Sequence, residues 1–171
     1  MVVFDSSVLL LVLDPNAKPP TDTSTGLPLR NAAKRIECLI ANLTADKEKI
    51  VIPPTVLSEV LVHAGDAMQP YLDVLNGQAS FRIAPFDQKA AIEAALAMSD
   101  ANRRGGFRID AANPAASRTK IKFDRQIVAI AKAEGAKAVY SDDVDVHGYA
   151  KHAGLDAYRT ADLDLPPEDL L

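Results

Sequence analysis

Short apolar runs that break off abruptly limit most strongly how this chain can fold. Three of them, at Val2–Phe4, Ile50–Ile52 and Ala138–Tyr140, do not alternate with polar residues. A strand with one face in water alternates, whereas a strand covered on both faces is a continuous apolar run. We therefore predict buried strands at these positions, with a further strand at 81–86 and an edge strand near 156–159.

Segments between the strands have the residue spacing of helices. The segment 30–48, for example, places Ala33, Ile36, Ile40 and Leu43 near helical intervals. Further helices are predicted at 8–13, from Thr55 onward, at 66–76, at 87–104, from Ser117 or Thr119 to Gly135, and up to about Ala153. Because strands alternate with helices, we predict an α/β fold whose mostly parallel sheet is covered on both faces.

Two segments, 14–29 and 105–119, are rich in proline or glycine and have no periodicity, so we predict long loops there. Their length suggests a role in binding a particular substrate or partner. No repeat or linker divides the chain, and 171 residues with 48% apolar content suit one α/β domain covering 1–171. The predicted organisation is therefore a single domain with two long loops.

Cysteine content and the first segment of the chain restrict the class of protein. The one cysteine, Cys38, excludes an internal disulfide and a multi-cysteine metal site, and its apolar neighbours predict a buried thiol. The apolar segment that begins the sequence is too short to span a bilayer and contains Asp5. We therefore expect a soluble cytoplasmic protein with no membrane partner.

Charge is unevenly distributed although the net charge is only -4. The segment 103–125 is strongly basic, whereas the segment 141–171 is strongly acidic. A basic stretch that leads into a carboxylate can hold a phosphate backbone, and Lys120, Lys122 and Arg125 are the candidates for contact with a nucleic-acid backbone. A solvated loop and helix start is the competing interpretation.

Acidic residues follow the predicted strands on one side of the sheet. Asp5 and Asp143 come just after a strand, and Glu59 lies early in the helix after the strand Ile50–Ile52. The carboxyl ends of parallel strands share one edge, which is where ligands bind in open α/β sheets. We therefore expect these three carboxylates to meet at that edge.

Asp124 has a position that is unusual for a carboxylate. The apolar residues Ile127, Val128 and Ala131 follow it at intervals of three, four and seven, so Asp124 lies on the buried stripe of its helix. An unpaired buried carboxylate is costly. Either Asp124 forms a buried ion pair with Lys122 or Arg125, or it belongs to a ligand site with the other acids.

A divalent cation would relieve the repulsion among four converging carboxylates. Ligands that are all oxygen favour Mg²⁺ or Mn²⁺, and no Cys/His cluster competes for the metal. Such a cation can activate water and stabilise charge on a phosphodiester. The residues alone thus point to metal-dependent phosphate chemistry with Asp5, Glu59, Asp124 and Asp143 as catalytic residues.

Three segments, in this order, resemble motifs of the PIN-domain family, and of its VapC-type toxins in particular. VVFDSSVLL resembles the family's opening strand and aspartate, and PPTVLSEVL resembles the helix with its glutamate. FDRQIVAIAKAEGAKAVYSDDVDV resembles the third segment, with an aspartate-led helix, a strand and a final aspartate. The similarity extends from Asp5 to about Leu163.

This resemblance implies a three-layer α/β/α fold and a metal-dependent endoribonuclease that a partner antitoxin inhibits. It also implies frequent homodimers, Mg²⁺ or Mn²⁺ as cofactor, and insertion of a basic antitoxin side chain into the acidic pocket. The site residues carried over by position are Asp5, Glu59, Asp124 and Asp143 as metal-binding acids, Asp145 as an additional or alternate ligand, and Ser7 and Ser141 as hydrogen-bonding supports.

Two other functions remain open from the sequence. One is a housekeeping PIN nuclease that acts in RNA maturation or on DNA. The other is a PIN module that binds nucleic acid or a partner without cleavage, although all four acids are present. A phosphatase is disfavoured because Ser7 stands where a second aspartate is needed, and a receiver domain because residues 2–4 are apolar.

Overall fold

A parallel sheet with its first strand at the centre organises the fold. The computed structural model describes residues 1–165, and its strands are β1 (Val2–Phe4), β2 (Ile50–Ile52), β3 (Phe81–Ile83), β4 (Ala138–Tyr140) and β5 (Asp156–Tyr158). Their order is β3-β2-β1-β4-β5, and each neighbouring pair is parallel. The three inner strands are buried throughout, which accounts for their uninterrupted apolar sequences.

Helices pack on the sheet and give the three-layer α/β/α fold, so the predicted fold class is confirmed. They are α1 (Ser6–Leu13), α2 (Ala32–Ala45), α3 (Pro54–Ala64), α4 (Met68–Gly77), α5 (Gln88–Arg104), α6 (Arg118–Ala133) and α7 (Val144–His152). Helix α6 packs between α5 and α7, and α1 contacts α2 and α3. None of the helices in residues 1–165 is long and apolar enough to cross a bilayer.

Local signals account for several element boundaries. The side chain of Asp87 accepts a hydrogen bond from the Ala90 backbone N–H, and Ser117, rather than Thr119, caps α6 by accepting from the Lys120 N–H. The predicted strand at 81–86 ends at Ile83, because Pro85 has no N–H to extend the ladder. The helix predicted at 30–48 corresponds to α2, which is shorter at both ends because it spans only Ala32–Ala45.

Both predicted loops are present, and internal contacts hold each of them. The first contains an isolated antiparallel bridge between Thr21 and Pro28. The second, at 105–117, is tied to α5 by the ion pair of Arg104 with Asp110. Cys38 is half-buried rather than buried, so that prediction was wrong: it lies on a part of α2 that the core does not cover. The final part of the predicted domain, 166–171, lies outside the described residues.

Candidate active site

The central strands bring two acidic segments together. β1 and β4 are adjacent, with Phe4 paired to Tyr140, so the residues that follow these strands emerge side by side. The Asp5 backbone N–H donates to the Tyr140 carbonyl at 3.0 Å. The short apolar strands thus determine where the chain leaves the sheet, and they place Asp5 beside Ser141.

Asp5 is held in a buried position by hydroxyl groups. It is 4% exposed, and its Oδ2 accepts hydrogen bonds from Ser141 Oγ at 2.6 Å and from Ser7 Oγ at 3.3 Å. It occupies the N-cap position of α1 but makes no side-chain capping bond. Burial raises the pKa of Asp5, the Ser141 hydrogen bond opposes this rise, and the charges of Asp143 and Glu59 add to it.

Asp124 points into the same region from α6. It is 7% exposed, and its nearest cation is Lys120, whose Nζ lies 2.6 Å from Asp124 Oδ2. The ion-pair partner is therefore the lysine one turn earlier, rather than Lys122 or Arg125. Burial raises the pKa of Asp124 to about 6 even though Lys120 lowers it.

Three acids near the start of α7 have different roles in the structure. Asp143 caps the helix, because its Oδ1 accepts from the backbone N–H groups of Asp145 and Val146, while its Oδ2 lies 2.9 Å from Lys120 Nζ. Asp145 is 1% exposed and accepts from the Asn113 N–H. Asp142 instead accepts from the N–H and hydroxyl of Thr160, a contact that commits its carboxylate to the segment after β5.

A cluster of carboxylate oxygens results. Three carboxylate oxygens lie within 4.8 Å of one another, one from each of Asp124, Asp143 and Asp145. Lys120 contacts all three acids, and it is the one cation that does so among residues 1–165. Burial would lower the pKa of Lys120, but its hydrogen bonds to Asp124 and Asp143 outweigh burial and raise it, so the lysine stays charged. Several acids therefore share a single positive charge.

Two of these acids, Asp124 and Asp143, line an open cavity of about 900 Å³ together with Asp5 and Glu59. Glu59 is an exposed residue of α3 and lines the cavity as well. Burial opposes ionisation of Asp143, but hydrogen bonds from Lys120 and from the Asp145 backbone lower its pKa overall. The oxygen-only donor set and the excess of negative charge suit a hard divalent cation such as Mg²⁺ or Mn²⁺.

The three basic residues predicted to contact RNA occupy very different environments. Lys120 lies among the carboxylates, and Lys122 is exposed. Arg125 is only 5% exposed: its Nη2 lies 3.3 Å from Asp110 Oδ2, and its guanidinium covers the ring of Tyr149 at 4.6 Å. These contacts disfavour Arg125 as an RNA contact, because the residue faces inward and is already paired.

Most of the predicted basic stretch is likewise engaged within the protein. Arg104 forms ion pairs with Asp100 and Asp110. Arg108 donates to the Ala116 carbonyl, and Arg118 lies over the ring of Phe107 at 5.7 Å. These contacts organise the loop at 105–117 and do not form a continuous surface for phosphate.

Sequence reasoning missed the groove that extends from the acidic cavity. A second cavity of about 620 Å³ shares Ser7, Leu10 and Asp143 with the first, and the loop residues Asn16 and Lys18 line it. Composition predicted this loop but gave no signal for where it packs. The loop after α1 therefore forms part of the wall of the groove.

Comparisons with known proteins agree with this architecture. The family model described as PIN domain matches residues 2–152. The FitAB complex bound to a DNA fragment has a TM-score of 0.61 and 18% identity over 96% of this chain and 98% of that chain. VapBC2 from Rickettsia felis, bound to a fragment of its promoter, has a TM-score of 0.60 and 14% identity over 93% and 98% of the two chains.

A third similar structure is VapC20 from Mycobacterium tuberculosis, described as a toxin that cleaves the sarcin-ricin loop. Its TM-score is 0.51, with 16% identity over 91% of this chain and 96% of that chain. A search of curated protein sequences finds no match. At these identities the solved structures show a shared fold, whereas the family model matches most of the sequence itself. The chain belongs to the PIN-domain family.

Proposed function

We propose that this protein is an endoribonuclease that depends on Mg²⁺ or Mn²⁺ and acts as the toxin of a toxin–antitoxin pair. The observation that supports the nuclease most directly is the convergence of Asp5, Asp124 and Asp143 on one cavity. Lys120 is the one cation that lines this cavity in the described part of the chain, residues 1–165. A pocket with this charge repels a phosphodiester unless it also holds a cation. We therefore expect the metal and the substrate phosphate to bind in the same cavity.

The carboxylates of Asp124, Asp143 and Asp145 would hold the metal, and Asp5 and Glu59 would complete the acidic lining. A bound divalent cation supplies an activated water and stabilises negative charge on the phosphate. Ser141 and Ser7 orient Asp5 by donating to its carboxylate. This combination of acids, water and an open groove supports hydrolysis of a phosphodiester, and RNA is the substrate that we propose.

Two lysines would assist the substrate. The ammonium of Lys120 lies beside the acids, where it would meet a phosphate oxygen once the substrate enters. Lys122 is exposed one residue further along α6 and would contact the backbone outside the cavity. Both contacts are electrostatic, so we expect them to weaken as the salt concentration rises.

The toxin role is supported by the type of proteins that share the fold. The FitAB and VapBC structures are of toxin–antitoxin complexes bound to DNA. The acidic cavity would also suit inhibition by a basic side chain of an antitoxin, because a cation already fits there in the form of Lys120. A homodimer, a cytoplasmic location and a single domain over 1–171 remain part of the proposal.

RNA cleavage by the purified protein, freed of any antitoxin, tests the nuclease. We expect Mg²⁺ or Mn²⁺ to support cleavage of mixed RNA and a chelator to stop it. Asp124→Asn removes one of the clustered carboxylates and should lower the rate on the order of 100-fold or more. Asp66→Asn is the matched control, because Asp66 is exposed, lies outside the cavity and loses the same charge.

Specific outcomes would separate the competing functions. Cleavage that persists in Asp124→Asn or in chelator would contradict the proposed site. RNA binding without cleavage in any metal would indicate a non-catalytic module. Growth arrest on expression of the protein alone, relieved by Asp124→Asn, distinguishes a toxin from a housekeeping nuclease.

A further inference from the structure

Phe123 is an exposed aromatic residue in the wall of the acidic cavity. It is 49% exposed and lies on α6 directly before Asp124. The other large apolar side chains of α6 are buried, namely Ile121, Ile127, Val128 and Ile130. The elements packed around α6 therefore leave this one large apolar ring uncovered.

One face of α6 presents the ring and the acid together. Lys120, Phe123, Asp124 and Ile127 are spaced at i, i+3, i+4 and i+7, and all four line the cavity. A nucleotide has a flat base and a charged phosphate a short distance apart. This face of α6 has an aromatic ring that can contact the base and, beside it, a charged cluster that can hold the phosphate.

The surroundings of Phe123 suit a nucleotide. The lining combines apolar side chains, among them Leu10, Pro54 and Ile127, with the charged groups of Lys120, Asp124 and Asp143. A nucleotide carries an apolar base face beside a charged phosphate, so it can contact both kinds of lining at once. Lys122 is the preceding residue, is exposed, and forms no ion pair with any residue from 1 to 165.

We propose that Phe123 stacks on an unpaired base of single-stranded RNA, next to the phosphate that is cleaved, while Lys122 meets the backbone. This inference rests on the proposed function, because it assigns a substrate class to the same site. Base–aromatic stacking is tolerant of sequence, so Phe123 positions the strand and does not select a particular base. Bases within a duplex are stacked on each other, which makes double-stranded RNA a poor substrate.

The absence of tryptophan from the sequence allows a direct test. Phe123→Trp creates the only indole in the protein, and a base stacked on it should quench its fluorescence. The probe is a single-stranded uridine oligonucleotide in Ca²⁺, which oxygen ligands also bind. Phe86→Trp is the matched control, since Phe86 is a similarly exposed aromatic residue (39%) outside the cavity lining.

We expect saturable quenching in Phe123→Trp and none in Phe86→Trp. In cleavage assays Phe123→Ala should raise KM for single-stranded RNA about tenfold, and Phe123→Trp should restore it. An unchanged spectrum in Phe123→Trp, or equal quenching in both variants, would overturn the stacking proposal.

The two proposals fail in different ways. Metal-dependent cleavage by Phe123→Trp without quenching would retain the nuclease and reject stacking. Quenching by the oligonucleotide without cleavage in Mg²⁺ or Mn²⁺ would support stacking and reject the nuclease.

Discussion

The two edges of the central sheet neutralise their acidic residues in opposite ways. At the amino edge, Glu48 contacts the N-terminal amine of Met1 and lies 2.7 Å from Lys137 Nζ. Hydrogen bonds from these two cations lower the pKa of Glu48 to about 2. At the carboxyl edge, Asp124 shares Lys120 with two other acids, and burial raises its pKa to about 6.

The number of cations available to each acid, rather than the number of acids, distinguishes the structural contact at Glu48 from the proposed ligand site at Asp124. One acid with two cations, as at Glu48, is complete and holds the first residues of β1, β2 and β4 together. Several acids share one lysine at the carboxyl edge, and we therefore expect them to gain stability from an added cation. The same strands thus have a closed electrostatic contact at one edge and the proposed metal site at the other.

Asp110, which lies outside the sheet, is another acid with two cationic partners. Removing one of these partners should cause the largest loss of stability among the variants considered. Asp110 pairs with Arg104 and with Arg125, a buried residue of α6. Arg125→Met leaves Asp110 with one partner and should lower the free energy of unfolding by about 3 kcal/mol. Urea unfolding measures this loss.

Lys122→Met is the control for that variant, because Lys122 is exposed on the same helix. It should change stability by less than about 0.5 kcal/mol. The opposite result, with Arg125→Met stable but impaired in RNA binding, would restore Arg125 as a substrate contact. It would also show that pairing with Asp110 is not what holds the arginine.

Glu48→Gln should have the smallest effect. It should leave RNA cleavage unchanged and lower the melting temperature slightly at neutral pH, because Glu48 is a surface acid. The pKa of Glu48 is depressed from 4.5 to about 2, so its stabilising contribution is present above pH 4.5 and is lost as pH falls towards 2. Melting curves of both proteins should therefore converge over that range. A loss of cleavage in Glu48→Gln would contradict the division between the two edges.

Strand ends and helical spacing carried most of the information about the acids. Three-residue apolar strands located Asp5 and Asp143, and the stripe of Ile127 and Val128 showed that Asp124 points inward. Both signals are local in sequence. They translate directly into positions because the geometry of strands and helices is regular.

Contacts between distant segments were not accessible in the same way. Arg125 follows Asp124 by one residue, yet it is directed to Asp110 in the loop at 105–117, and no local pattern encodes that loop's path. Asp142 bonds Thr160, eighteen positions later, which removes its carboxylate from the acid cluster. Exposure of Phe123 likewise depends on how α6 is covered by its neighbours.

Thermal melting of the wild type and Asp124→Asn, with and without Mn²⁺, tests the central claim most directly. We expect Mn²⁺ at 100 times its Kd to stabilise the wild type by about 2.7 kcal/mol, and to stabilise the variant much less. Without metal, the variant should melt no lower than the wild type, because it loses a carboxylate whose charge is disfavoured. If the metal-free variant melts lower and Mn²⁺ shifts neither protein, the acids at the carboxyl edge are a completed structural contact, as Glu48 is, and not a metal site.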